Sequence, residues 1–204
     1  MAIVKTQAEV ELIAITAVAG GAQSKSAEMN TADLDAVAIG IYHAPDGNAV
    51  PTYGTEYRIE ASALDAGDDA WVVLTSFVTA RAAATAYAAD AGEPIGETVI
   101  AEGATAGLVA GQIAFFDTPA GGGLADSQWR RIVDVNANVS FTLLDGLTMA
   151  TAIGDAIWNM AEIFRAEVSG HWRRLRVVCD NNYLDGAVTI ALNWKALAVT
   201  NAWR

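Results

Sequence analysis

The segment Ala187–Ala198 constrains this chain most. Val188, Ile190, Leu192 and Trp194 fall on one side of an extended strand, and Thr189, Asn193 and Lys195 fall on the other. A period of two fits a half-buried strand and is incompatible with the 3.6-residue period of a helix. The same period recurs along the chain. Val37, Ile39 and Ile41 share one face. Glu56, Arg58 and Glu60 point away from Tyr57 and Ile59. Arg174, Arg176 and Val178 oppose Leu175, Val177 and Cys179. Trp71–Val78 carries no charge on either face, which predicts a central strand covered on both sides. Turn residues separate these runs: Pro45-Asp46-Gly47-Asn48, Asp65-Ala66-Gly67-Asp68 and Asp185-Gly186, with Asp180-Asn181-Asn182 leading into a loop. Short alternating strands between turns read as an all-β protein, a jelly-roll-like β-sandwich or a barrel.

One stretch departs from this pattern. Arg81–Gly92 is mostly alanine, which favours a short helix stopped by Gly92 and Pro94. An extended Ala-rich linker fits equally well. A compact run of five strands follows: Val99-Ile100, Ala110–Phe116, Gln128–Val135, Ser140–Leu144 and a last one from Ala156 toward Val168, with a Gly121–Gly123 hairpin tip. Five such strands suffice for a small barrel without open edges. The simplest organisation places residues 1–96 and 166–204 in one sandwich and inserts 97–165 as the barrel; two tandem domains are the alternative.

Composition narrows the function classes. With 204 residues, 53% hydrophobic and 18% charged, the chain buries enough surface to fold without metal or disulfide. The formal charge of −12 speaks against specific nucleic-acid binding. No apolar run has the length of a membrane span, and Met1–Gln7 does not read as a secretory signal. The single cysteine, Cys179, excludes an internal disulfide and reads as a buried, inert thiol. Charge is uneven: residues 1–100 hold 14 acidic and 4 basic groups, and residues 101–204 hold 10 and 8. The acidic half reads as a solvated face, or as a surface that faces DNA or a basic partner.

Catalytic and metal motifs are missing. His43 and His171 lack zinc spacing and read as strand-end or interface residues. There is no Gly-x-Ser-x-Gly elbow and no phosphate-binding Gly-Lys-Ser/Thr. Asp65, Asp68 and Asp69 form a plain acidic turn or a calcium loop, without the spacing of a calcium hand. No cofactor is expected, and an enzyme would need carboxylates paired in space. Trp71 and Trp194 read as core. Trp129, Trp158 and Trp172 lie beside Arg130, Arg131 and Arg173. With Arg174, Arg176 and the near-terminal Trp203, they are interface candidates, since tryptophan and arginine anchor interfaces. The alternative is barrel core with solvated arginine stems.

Four segments of residues 110–157 carry a resemblance: Ala110-Gly111-Gln112-Ile113; Asp126-Ser127-Gln128-Trp129-Arg130-Arg131-Ile132-Val133-Asp134-Val135; Phe141-Thr142-Leu143-Leu144-Asp145-Gly146-Leu147; and Ala152-Ile153-Gly154-Asp155-Ala156-Ile157. Together they resemble a small β-unit of tailed-bacteriophage virion proteins, read as aGD-x-V, x-E-x-x-x-I-x-x-V, x-x-T-L-x-x-x-L and h-x-x-G-x-x-V. Gln112 and Gln128 stand where aspartate and glutamate are usual, and no histidine precedes Gly154. The stretch Leu175–Asn182 looks similar to phage structural proteins too. The resemblance implies a virion building block without catalytic residues, assembled in the host cytoplasm. The first expectation is a capsid decoration or cement protein that binds the major capsid protein or other virion proteins and self-associates, with a trimer favoured. A tail-tube or head–tail connector subunit with an acidic DNA-facing surface is the second, and a glycan-binding β-module is the third.

Overall fold

The structure, a computed structural model, describes residues 5–32, 34, 36–46, 54–67, 70–80, 84–117, 127–169, 172–181, 184–185, 188–189 and 191–203. The described residues form an all-β protein without a helix. In chain order the strands are β1 (Lys5–Val18), β2 (Gln23–Lys25), β3 (Met29–Asn30), β4 (Ala36–Asp46), β5 (Glu56–Ser62), β6 (Trp71–Val78), β7 (Ala86–Ala88) and β8 (Val99–Ala101). They continue with β9 (Ile113–Asp117), β10 (Gln128–Asn136), β11 (Ser140–Leu143), β12 (Ala156–Ser169), β13 (Arg174–Asp180), β14 (Leu184–Asp185), β15 (Val188–Thr189) and β16 (Ala191–Trp203). One sheet runs β1-β16-β4-β12-β9-β10-β11-β8, with β7 also on β12. A second runs β2-β13-β5-β6, with β3 also on β13.

The sandwich follows from the alternation. Val37, Ile39 and Ile41 of β4 and Trp194, Ala196 and Ala198 of β16 are buried against Tyr57, Ile59 and Ala61 of β5 and Leu175, Val177 and Cys179 of β13. Burial pushes the Cys179 thiol up to about 12, so it stays protonated and unreactive. Beside this core lies a second one. It gathers Tyr87, Ile100, Phe116, Ile132, Phe141, Leu147 and Ile157 from β7 to β12 and the loops between them. Strand β12 belongs to both. Its first residues pair with β9 and β7, and Glu162–Ser169 pair with β4. A register shift between Trp158 and Ala161 marks the change, with Met160 at φ +60°. Such a bulge bends a strand and re-aims its side chains.

Several expectations change. Trp71–Val78 is an edge strand and not a central one: β6 ends its sheet, and Val72, Val73 and Val78 are exposed. A bulge between Ile59 and Glu60 breaks its alternation, so absence of charge did not mean cover on both faces. Within Arg81–Gly92, the residues from Ala84 onward are extended and not helical. Tyr87 of β7 is buried and donates to Ala106 O at 2.7 Å. That anchor outweighs the small propensity difference that favours an alanine helix. Strands β7 to β12 curl round their core, but no described ladder joins β8 to β7. Loop bonds Gly96 N to Leu147 O and Thr151 N to Glu93 O span that side. The long strand β1 was not read from sequence. Shifts at Glu11/Ile13 and Ile13/Thr16 break its period. The Gly121–Gly123 tip, His171, Asp68, Asp69 and the turn residues Gly47, Asn48 and Gly186 lie outside the described residues.

Candidate functional site

Two groups of arginines share the interface candidates, and the structure separates them. On the outer face of the second sheet, Arg174 Nη1 meets Glu28 at 2.6 Å. Its Nε and Nη2 donate to Leu64 O and Gly67 O. Arg176 Nε binds Glu60 at 2.8 Å, and both guanidinium groups lie over the Trp71 ring. Arg58 joins the row through Glu56, Glu60 and Asp180. Burial alone would lower its guanidinium pKa, but Glu56 and Asp180 outweigh that and hold it above the ordinary value. Arg173 is exposed, 3.8 Å from the exposed Asp65. This face is an internally neutralised ion ladder. Glu28, Glu56, Glu60 and Asp65 come from the acidic first hundred residues and Arg173, Arg174 and Arg176 from the second, so the uneven charge of the sequence does not become an acidic face here.

The other group lies where β12 passes from one core to the other. Trp129 itself is interior, at 5% exposure. Its indole donates to His43 O at 2.9 Å, and its ring packs 4.5 Å from Phe115 and 5.6 Å from Tyr42. It therefore joins the two cores and is not a surface anchor. His43 is also interior rather than at an interface: it sits in β4 at 1% exposure with Nδ1 2.9 Å from the Tyr57 hydroxyl, and burial lowers its pKa to about 3. Trp158 is half-buried in the same cluster, and Trp172 is half-buried against the sandwich core. The backbone of Trp203 pairs with Lys5; its side chain lies outside the described residues.

Next to Trp129 opens a cleft of about 640 Å³. Tyr42 and Trp129 form an aromatic wall, with Ile113, Leu144 and Ile163 alongside, and Arg130, Arg131, Arg165 and Asp145 bring charge. Lys195 Nζ lies 4.7 Å from the Tyr42 ring centre and 5.3 Å from that of Trp129, a cation–π arrangement. Burial lowers the Lys195 pKa, Glu11 and Glu9 oppose that, and Arg130 adds to it. Arg130 is lowered by burial too, with Asp145 opposing. Its guanidinium is committed to Gly146 O, Trp129 O and Thr148 Oγ1, which fixes the turn at the rim. Arg131 and Arg165 are exposed. Among the described residues none of these four cations forms a salt bridge, while Arg58, Arg173, Arg174 and Arg176 all do. A shallower hollow of about 350 Å³ continues past Tyr42 and Arg165 over Ala38 and Gly40 toward Glu9. The arrangement can hold a carboxylate or similar anion with an apolar or flat neighbour. Sequence reasoning found Trp129, Arg130 and Arg131. It missed Arg165, Tyr42 and Lys195, whose signal was their place on the outward faces of three separate strands.

The inserted segments settle into turn mechanics. Gly111 and Gly154 have φ of +95° and +87°, each in the turn before a strand. Gln112 Oε1 accepts from Val109 N. Gln128 Oε1 accepts from Thr148 N and Oγ1, and its Nε2 donates to Met149 O. Both glutamines thus supply the acceptor that an acid would supply.

No protein family matches the chain, and no curated protein matches it. Among solved structures it is similar to VP17, a capsid protein of bacteriophage P23-77, with 11% identity over 98% of each chain and a TM-score of 0.22. A likeness that slight carries no argument about fold or role.

Proposed function

We propose that this chain is a non-enzymatic structural subunit of a tailed-bacteriophage virion, and within that class a capsid decoration protein that binds the assembled shell. One observation carries the reading. The first and fourth of the segments that resemble the virion β-unit are the turns leading into β9 and β12, the second spans most of β10, the third runs from β11 into the turn after it, and the two glutamine departures keep the acceptor role. The exposed Arg131 and Arg165 beside them, without a salt bridge among the described residues, offer a contact surface for another virion protein. The tail-tube reading has less support, because its acidic half is interleaved with arginines on the second sheet. Glycan binding through surface tryptophans has less support too, since Trp129 and Trp194 are buried. Antibody labelling of purified virions, read by electron microscopy, tests the proposal. Label over the heads is the expected result. Label confined to tail or neck moves the role to the tube or connector, and unlabelled particles that contain the protein remove the surface decoration role.

A further inference from the structure

We infer that the free edge of β6 and the cavity beside it form a docking site for an extended segment of a partner protein, apolar and bearing one lysine or arginine. The second sheet stops one strand early. Tyr57 of β5 lies against His43 of β4, and Phe77 of β6 stacks on Phe164 of β12 at 5.1 Å. In the first sheet β9 follows β12, while among the described residues the second sheet ends at β6. The next strand position on the second sheet therefore lies over the start of β9. There Gly111, Gln112 and Ile113, with Met160, Glu162 and Phe164 of β12, line a cavity of about 310 Å³. Phe164 carries the stacked Phe77, and Glu162 Oε2 accepts from Ala80 N at 3.1 Å, so the cavity adjoins the C-terminal end of β6.

The edge is open to a strand. Its eight residues include no charge, glycine or proline, and Val78 is 61% exposed. Past the bulge in β6, residues 75–78 pair with 56–59 in regular register, which leaves a regular run of outward N–H and C=O groups. The other edge strands of the two large sheets lack this combination: β2, β3, β7 and β8 have three residues or fewer, and β1 carries Glu9 and Glu11. Charge complementarity selects the occupant. Glu162 is half-buried, and among the described residues no cation faces it. His43, its register partner on β4, is held neutral by burial. Burial raises the Glu162 pKa, and the Ala80 bond opposes that. An incoming lysine or arginine gives this carboxylate the counter-charge it lacks, and the apolar side chains of the same segment meet Ile113, Met160 and Phe164. This is strand addition, in which main-chain bonds give affinity and alternate side chains give specificity.

The test uses fluorescein-labelled heptapeptides, Thr-Val-Thr-X-Thr-Val-Thr with X as lysine, glutamine or glutamate, read by anisotropy on the full chain. The expected result is that the lysine peptide binds at least about tenfold tighter than the glutamate peptide, and that it slows hydrogen exchange of the β6 amides. Glu162→Gln is expected to remove the lysine preference and keep the binding of the glutamine peptide. Val78→Lys, at an exposed position, is expected to abolish binding of the lysine peptide; near-ultraviolet circular dichroism checks the fold of both variants. Equal affinity for the three peptides overturns the inference. So does binding that leaves the β6 amides unchanged, which places the peptide elsewhere, and so does no binding up to about 1 mM. A stable dimer whose β6 amides are already protected overturns it as well, by giving the edge to a second copy of this chain.

Discussion

The arginines of the second sheet and Arg130 and Arg131 of the cleft look alike in sequence, as short runs beside tryptophan. In the structure they are opposites. Arg174 and Arg176 have side chains about one-tenth exposed, and each ends on a carboxylate with Trp71 beneath. Arg131 and Arg165 end in solvent at the edge of a cavity. A buried cation has to be neutralised within the subunit, because desolvation without a partner is costly. An exposed cation keeps its water and stays available. The comparison teaches that proximity to tryptophan does not tell a cation spent inside the subunit from one left at the surface; burial against a carboxylate does.

The boundary between the regions gives the largest expected effect. Trp129→Ala removes the indole that ties Phe115, Tyr42 and His43 O together. It is expected to cost about 4 kcal/mol in urea unfolding. Arg176→Ala comes next. Among the described residues it leaves the Glu60 carboxylate, 9% exposed, with Arg58 at 3.6 Å as its one cation, and a loss of about 3 kcal/mol is expected. If this loss were below about 0.5 kcal/mol, the range of ordinary surface sites, the ladder would not be structural. Beside it, His43 makes the boundary pH-sensitive. Its folded pKa, about 3, lies below the unfolded value of 6.5. The unfolded chain therefore binds a proton that the folded chain refuses, and stability falls as pH drops from 6.5 toward 3. The steepest slope is about 1.4 kcal/mol per unit. The difference between wild type and His43→Gln isolates it; parallel pH profiles for the two would refute it. Gly111→Ala tests the inserted turn. Its φ of +95° is strained for alanine while the space around it is open, so about 1 kcal/mol is expected. The smallest effect belongs to the cleft: Arg131→Ala and Arg165→Ala change stability by no more than about 0.5 kcal/mol. A larger loss would place them with the ladder.

Much of the fold was legible because burial writes its period into the chain. Ile39 and Ile41, Tyr57 and Ile59, and Trp194 are inward as their alternation requires. The strands from Val99 to Val168 were legible for the same reason. The failures have two causes. In β1 and β6 a bulge shifts the alternation, so pattern alone gave no strand in one case and the wrong position in the sheet in the other. Alanine carries too little side-chain information to distinguish the strand at Ala86–Ala88 from a helix. The cleft was half legible. Trp129, Arg130 and Arg131 stood out as neighbours in sequence, but Tyr42, Arg165 and Lys195 come from β4, β12 and β16, and only the register of those three strands unites them.

The contrast between the two arginine groups is tested most directly by arginine footprinting with phenylglyoxal and mass spectrometry on the folded protein at high salt. The account predicts that Arg131 and Arg165 react rapidly, while Arg174 and Arg176 react slowly. Slow modification of Arg131 and Arg165, or rapid modification of Arg176, would contradict it.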